Sequence, residues 1–147
     1  MSHARLNNQL CFALYSAFNS VNGIYRKKLD PLGITYTQFI VLMALWEKDE
    51  VIISQLAKRT GLTKATMTPL LKRMEERGLI KRHLLSDNER QKVIKLTEAG
   101  WQLSHQSESV TKEAFGETGL TKTQANKLIE LCKELVKNTQ DDDQQIA

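Results

Sequence analysis

Two cysteines carry most of this chain's capacity for side-chain chemistry, Cys11 and Cys132. Cys11 stands in "NQLCFALY", near the start of an apolar pattern with helical spacing. A thiol there has two readings. It is a small apolar residue packed in a core, or it is a reactive thiol with a chemical role. Cys132 lies in "KLIELCKELV", where Leu128, Leu131 and Leu135 mark a packing face, which suits a structural thiol. His3, His83 and His105 are scattered, and no His, Cys, Asp or Glu spacing matches a metal site. Neither a glycine-rich phosphate loop nor a nucleophile elbow is present. No metal, cofactor or enzymatic activity is expected.

Charge gives the thiol a context. Between Ser54 and Lys95 eleven Lys or Arg face four Asp or Glu, a segment of +7, while the rest of the chain sums to −3. A basic centre with mildly acidic arms suits a module that meets a phosphate backbone, although a solvated basic surface has the same composition. The 147 residues are enough for one domain with a real core. No apolar run approaches the length of a membrane span, "MSHARLNNQL" is too polar for a signal peptide, and two distant thiols suit a reducing, cytoplasmic setting.

The elements that must position these residues follow from periodicity. Leu10, Leu14, Ala17, Val21 and Tyr25 step by three or four, so residues 6–29 read as one long helix, broken by Pro31 and Gly33. "TYTQFIVLMALWEK" restarts a central helix with Thr35 or Thr37 as cap. Ser54 is the candidate cap of the next helix, and Gly61 ends it. Thr63 caps "LTKATMTPLLKRMEERG", which keeps helical spacing through Pro69 and closes at Gly78. Then the period changes. Leu79–Leu84 and Gln91–Leu96 read as two strands joined by "SDNER". Thr97 caps a helix toward Phe115, and Thr121 opens a last helix to about Asn138, with a frayed tail.

Helix, tight turn, second helix and two-stranded ribbon make a winged helix-turn-helix pattern within a mainly α fold. Leu56, Ala57, Leu62, Met67, Leu70, Leu71 and Met74 supply its inner faces. The second helix can enter a major groove while the first crosses the backbone. Thr63, Lys64, Thr66 and Thr68 stand toward the front of the exposed side, where they could reach base edges, and Lys72 and Arg73 could hold phosphates. Arg90 at the ribbon tip could enter a narrow minor groove. An amphipathic helix with solubilising charges and a solvated hairpin tip remain the plain alternatives.

The stretch "ISQLAKRTGLTKATMTPLLKRMEERGLIKRHLLSDNERQKVIKLTEAG", above all "TPLLKRMEERGLIKR" and the terminal "LTEAG", resembles the MarR family of winged-helix repressors. The resemblance covers almost the whole chain. It implies a single domain over residues 1–147, with residues 35–98 as the winged-helix part and residues 5–30 and 99–140 as dimerisation helices. It also implies a homodimer on double-stranded DNA with a pseudo-palindromic operator, a recognition helix starting at Thr63 and a wing arginine at Arg90. The family commonly has an aspartate two positions before that arginine, where this chain has Asn88 after Asp87.

"NQLCFALY" and "ITYTQF" resemble a narrower group, the organic-hydroperoxide sensors of that family (the OhrR type). In that group the residue matching Cys11 is the peroxide-reactive thiol, and the residues matching Tyr25 and Tyr36 hydrogen-bond to it. A further aromatic position of the group matches Phe39, which has no hydroxyl. Fourteen residues of straight helix are about 21 Å, so Tyr25 could meet Cys11 only from a partner chain. Attack of the Cys11 thiolate on a peroxide oxygen gives a sulfenic acid, which could then condense with a low-molecular-weight thiol or with a second cysteine such as Cys132. The expected function is a repressor that releases its operator when an organic hydroperoxide oxidises Cys11. The alternative is a regulator of the same family controlled by a small aromatic ligand, with Cys11 structural.

Overall fold

The computed structural model describes the backbone of residues 1–85 and 88–145, and the side chains of residues 1–84 and 91–140. Two compact units are present, Met1–Ala114 and Phe115–Ala147.

The first unit begins with a single 3-10 turn, Leu6–Asn8, followed by α1, Leu10–Leu29. The expected helix from residue 6 is therefore interrupted. Gln9 is extended, and its side-chain amide donates to the Arg5 carbonyl, so the chain turns before α1 starts. A 3-10 turn at Asp30–Leu32 and Gly33 at φ +71 end α1, the left-handed backbone that glycine adopts without a Cβ clash. Thr35 then caps α2, Tyr36–Glu47, in a reciprocal box. Its hydroxyl accepts the Gln38 amide at 3.3 Å, and the Gln38 side chain accepts the Thr35 amide at 3.0 Å. Thr37 is not the cap.

The strand β1, Val51–Ile52, runs straight into α3, Ile53–Thr60. Ile52, not Ser54, occupies the cap position, with no side-chain hydrogen bond. Pairing of Val51 with Ile94 and Ile52 with Val93 dictates where the chain enters this helix, and Ser54 falls inside it. Gly61, at φ +74, ends α3 as expected. Thr63 caps α4, Lys64–Glu76, through a 3.2 Å bond from the Thr66 amide, and Pro69 lies inside that helix.

The ribbon consists of β2, Ile80–Leu85, and β3, Asn88–Leu96, in a three-stranded antiparallel sheet of order β1-β3-β2. Asn88–Arg90 of the expected loop belong to β3, and Ser86 and Asp87 lie outside the described residues. Thr97 caps α5, Glu98–Gln102, which closes before α6, Ser104–Glu117. One expected helix is thus two, parted at Leu103.

The core sits between α2, α3, α4 and the sheet. Phe39, Leu42, Leu45, Leu56, Met67, Leu71, Met74, Ile80 and Ile94 are fully buried, with Leu29 as the buried end of α1. Apolar residues fill most faces of α2, which is why it is the central helix. Lys28 joins the end of α1 to Glu113 of α6 at 3.5 Å. In the second unit Thr121 caps α7, Lys122–Gln145, in a reciprocal box with Gln124. This helix runs past Asn138, through part of the tail expected to fray. Among the described residues no single helix is long and apolar enough to cross a membrane.

Candidate functional site

Lys64, Thr66, Thr68, Lys72 and Arg73 all project from the exposed side of α4, whose opposite side buries Met67, Leu70, Leu71 and Met74. Helical spacing and packing thus place every candidate base-edge or phosphate residue of this helix in solvent. The hydroxyls are ordered by the helix itself. Thr63 bonds the Thr66 amide, and its hydroxyl donates to the Thr66 hydroxyl at 3.1 Å, while the Thr68 hydroxyl donates to the Lys64 carbonyl at 3.0 Å. The Arg73 Nε folds back to donate to the Pro69 carbonyl at 3.3 Å.

A concavity of about 440 Å³ lies where the starts of α3 and α4 face the ribbon, lined by Ser54, Lys64, Thr68, Arg82, Gln91 and Lys92. Lys64 and Lys92 beside two hydroxyls form a surface suited to a phosphate backbone, while the Arg82 guanidinium is paired with Glu75. Sequence reading missed Ser54, Arg82, Gln91 and Lys92 as members of it. Arg82 and Lys92 are signalled only by the charge of the basic segment; the ribbon carries them and Gln91 to the groove, and Ser54 enters it from α3. Arg90 lies in β3, and its side chain is outside the described ones.

The second group lies along α1 and the turn after it. Cys11 is exposed at the start of α1, so within one chain it is not the packed core residue that one reading allowed. Tyr25 and Tyr36 meet at the other end, with ring centroids 4.8 Å apart, and Phe39 lies 6.1 Å from Tyr25. Burial raises the pKa of both phenols, and for Tyr25 the neighbouring Tyr36 adds to it. Both hydroxyls therefore stay protonated at neutral pH and are hydrogen-bond donors. Tyr36 also borders a hollow of about 260 Å³ with Phe18, Asn22, Arg26, Asp30 and Thr35. The structure brings the two tyrosines together. It keeps Cys11 apart from Tyr25, since both stand on the single helix Leu10–Leu29.

Cys132 is half-buried on α7. Among the described residues no group of three or more His, Cys, Asp or Glu is arranged to hold a metal ion.

The topology and a solvent-facing basic second helix define a winged helix-turn-helix. Comparison with known proteins places it further. Residues 34–92 match the MarR family. The "Organic hydroperoxide resistance transcriptional regulator" of Bacillus subtilis (strain 168) is 38% identical over 78% of each chain. Reduced AbfR bound to DNA is 36% identical, covers 92% of this chain and 93% of its own, and superposes with a TM-score of 0.76; AbfR has also been solved from Staphylococcus epidermidis. CouR from Rhodococcus jostii bound to p-coumaroyl-CoA is 26% identical over 90% of this chain and 95% of its own, with a TM-score of 0.78. The chain belongs to the MarR family and is a DNA-binding transcriptional regulator rather than an enzyme.

Proposed function

We propose that this protein is a thiol-based repressor that binds a pseudo-palindromic duplex operator as a homodimer and releases it when an organic hydroperoxide oxidises Cys11. The observation that carries this reading is the separation along α1. An exposed thiol stands at one end, and a pair of protonated phenols stands about 21 Å away at the other. Two copies of α1 running antiparallel across a two-fold seam bring each Cys11 to the partner's phenols, which then donate hydrogen bonds to the thiolate.

The reaction is a single turnover. The Cys11 thiolate attacks the outer peroxide oxygen, an S–O bond forms, the O–O bond breaks, and the alkoxide leaves as an alcohol after taking a proton. The sulfenic acid condenses with a low-molecular-weight thiol to give a mixed disulfide and water. New bulk and altered charge at the seam change the spacing of the two copies of α4. Residues 35–98 act as the reader, with Thr63, Lys64, Thr66, Thr68, Lys72, Arg73 and Arg90 on DNA, and residues 5–30 and 99–140 form the seam. A reducing cytoplasm keeps the resting thiol ready.

Control by a small aromatic ligand has weaker support, because the ligand-bound relative shares 26% identity against 38% for the hydroperoxide-resistance regulator. The test uses a duplex selected by the native protein from a random pool, and cumene hydroperoxide at one equivalent per thiol. Native protein should leave the duplex on oxidation, and Cys11→Ser should bind it and stay. Release of both to the same extent overturns the reading.

A further inference from the structure

Two parts of the reader must keep one geometry, and a single carboxylate spans them. Glu75 stands in the last turn of α4 and Arg82 in β2. Glu75 Oε1 accepts from Arg82 Nη2 at 2.9 Å and from Arg82 Nε at 3.2 Å, and Oε2 accepts from the Arg82 backbone amide at 3.0 Å. Three donors of one strand residue converge on one helix residue, which fixes orientation as well as distance. The Arg82 side chain is 19% exposed and that of Glu75 37%, so the guanidinium end is shielded, and it is the three converging bonds rather than burial of the carboxylate that define the pair. The chain between them turns at Gly78, φ +74, where its amide donates to the Glu75 carbonyl at 2.9 Å and the Leu79 amide to the Met74 carbonyl at 3.0 Å. Arg82 pairs with Ile94 of β3, so the clamp grips the body of the ribbon and not its tip.

We propose that Glu75 is a positioning residue for DNA binding, setting the angle of the β2–β3 ribbon to α4 so that both engage one half-site. The proposal rests on the reading of α4 and the ribbon as DNA-contacting elements. Arg82 also borders the basic concavity. If Arg82 were itself a phosphate ligand, Glu75 would compete with DNA, and its loss would have the opposite sign.

The experiment has two arms. Without DNA, spin labels at Lys72→Cys and Lys92→Cys report the helix-to-ribbon distance. The labelled chain also carries Cys11→Ser and Cys132→Ser, and is diluted with unlabelled subunits so that each dimer holds one labelled chain. Glu75→Ala should widen the distance distribution, and an unchanged distribution overturns the proposal. With the selected duplex, Arg90→Ala should cost the native chain about tenfold in affinity, and less than about threefold in the Glu75→Ala background, where the wing is already displaced. Equal cost in both backgrounds shows a merely structural role and overturns the proposal, as does tighter binding of Glu75→Ala with a steeper salt dependence. Glu75→Gln keeps one acceptor and should fall between native and Ala in both readouts. It carries the test if Glu75→Ala does not fold, and native values for it then overturn the proposal. If Arg90→Ala costs the native chain nothing, the wing reading fails and the label distances alone decide the clamp.

Discussion

The reader and the long helix before it are built from similar residues and reach opposite ends of the burial scale. Leu56, Met67, Leu71 and Met74 are 0–2% exposed, whereas Leu10, Tyr15 and Phe18 of α1 are 56–65% exposed. The reader buries its apolar stripe against its own sheet and α2. The first half of α1 leaves these side chains open, and α7 leaves Leu128, Ile129, Leu131 and Val136 open. Apolar faces of this size on long helices call for a partner. The difference separates two kinds of stability: one belongs to the single chain, and the other exists only at the concentration where chains pair.

The largest expected break in that contrast comes from the reader. Leu71→Ala removes a fully buried side chain and should cost about 3 kcal/mol in chemical denaturation, in dimer and monomer alike. Next comes the seam. Leu10→Glu with Phe18→Glu should yield monomers by analytical ultracentrifugation while the far-UV spectrum stays helical. Losing the second half-site contact should weaken binding to the selected duplex on the order of a hundredfold. Persistence of a tight dimer would show that α1 is not part of the seam. A smaller effect belongs to the start of α4. Thr63→Ala deletes the cap and should cost about 1 kcal/mol, read as a lower denaturant midpoint with an unchanged slope.

The smallest effect is a pH dependence. Tyr25 and Tyr36 have raised pKa values in the fold, so the folded chain holds their protons longer than the unfolded one. Stability from this source is complete below about pH 10, the unfolded phenol range, and is lost as pH rises through the folded values. Tyr36→Phe should flatten the fall in stability above that pH and leave the profile near neutrality unchanged. An identical alkaline profile for native and variant would mean that burial of this hydroxyl carries no linkage.

Sequence signals are legible where local chemistry decides. The caps at Thr35, Thr63 and Thr97 and the stop at Gly61 each need only a few neighbouring residues, and each is found in place. Ser54 was a sound local candidate that lost to a distant constraint, the pairing of Val51 with Ile94. The division at Leu103 has no glycine or proline at the break itself, and the nearby Gly100 lies inside α5. The clamp between Glu75 and Arg82 joins a helix to a strand seven residues on, a spacing with no periodic signature. The meeting of Tyr25 with Tyr36 depends on how the Pro31–Gly33 turn folds α2 back on α1. The place of Cys11 was least legible, because its surroundings within one chain are mostly solvent.

Trp46 and Trp101 give the molecule a second use. The Trp46 indole donates to the Gly100 carbonyl at 3.0 Å, and the ring packs 6.0 Å from Phe39, whereas Trp101, the next residue after that carbonyl, is 40% exposed. The chain therefore carries two indoles at the joint between α2 and α5, one partly buried and hydrogen-bonded and the other more open to aqueous quenchers. In a Trp101→Phe background the remaining emission comes from Trp46 alone. Its colour then reports, without any attached dye, whether that joint stays closed when DNA or oxidant is added.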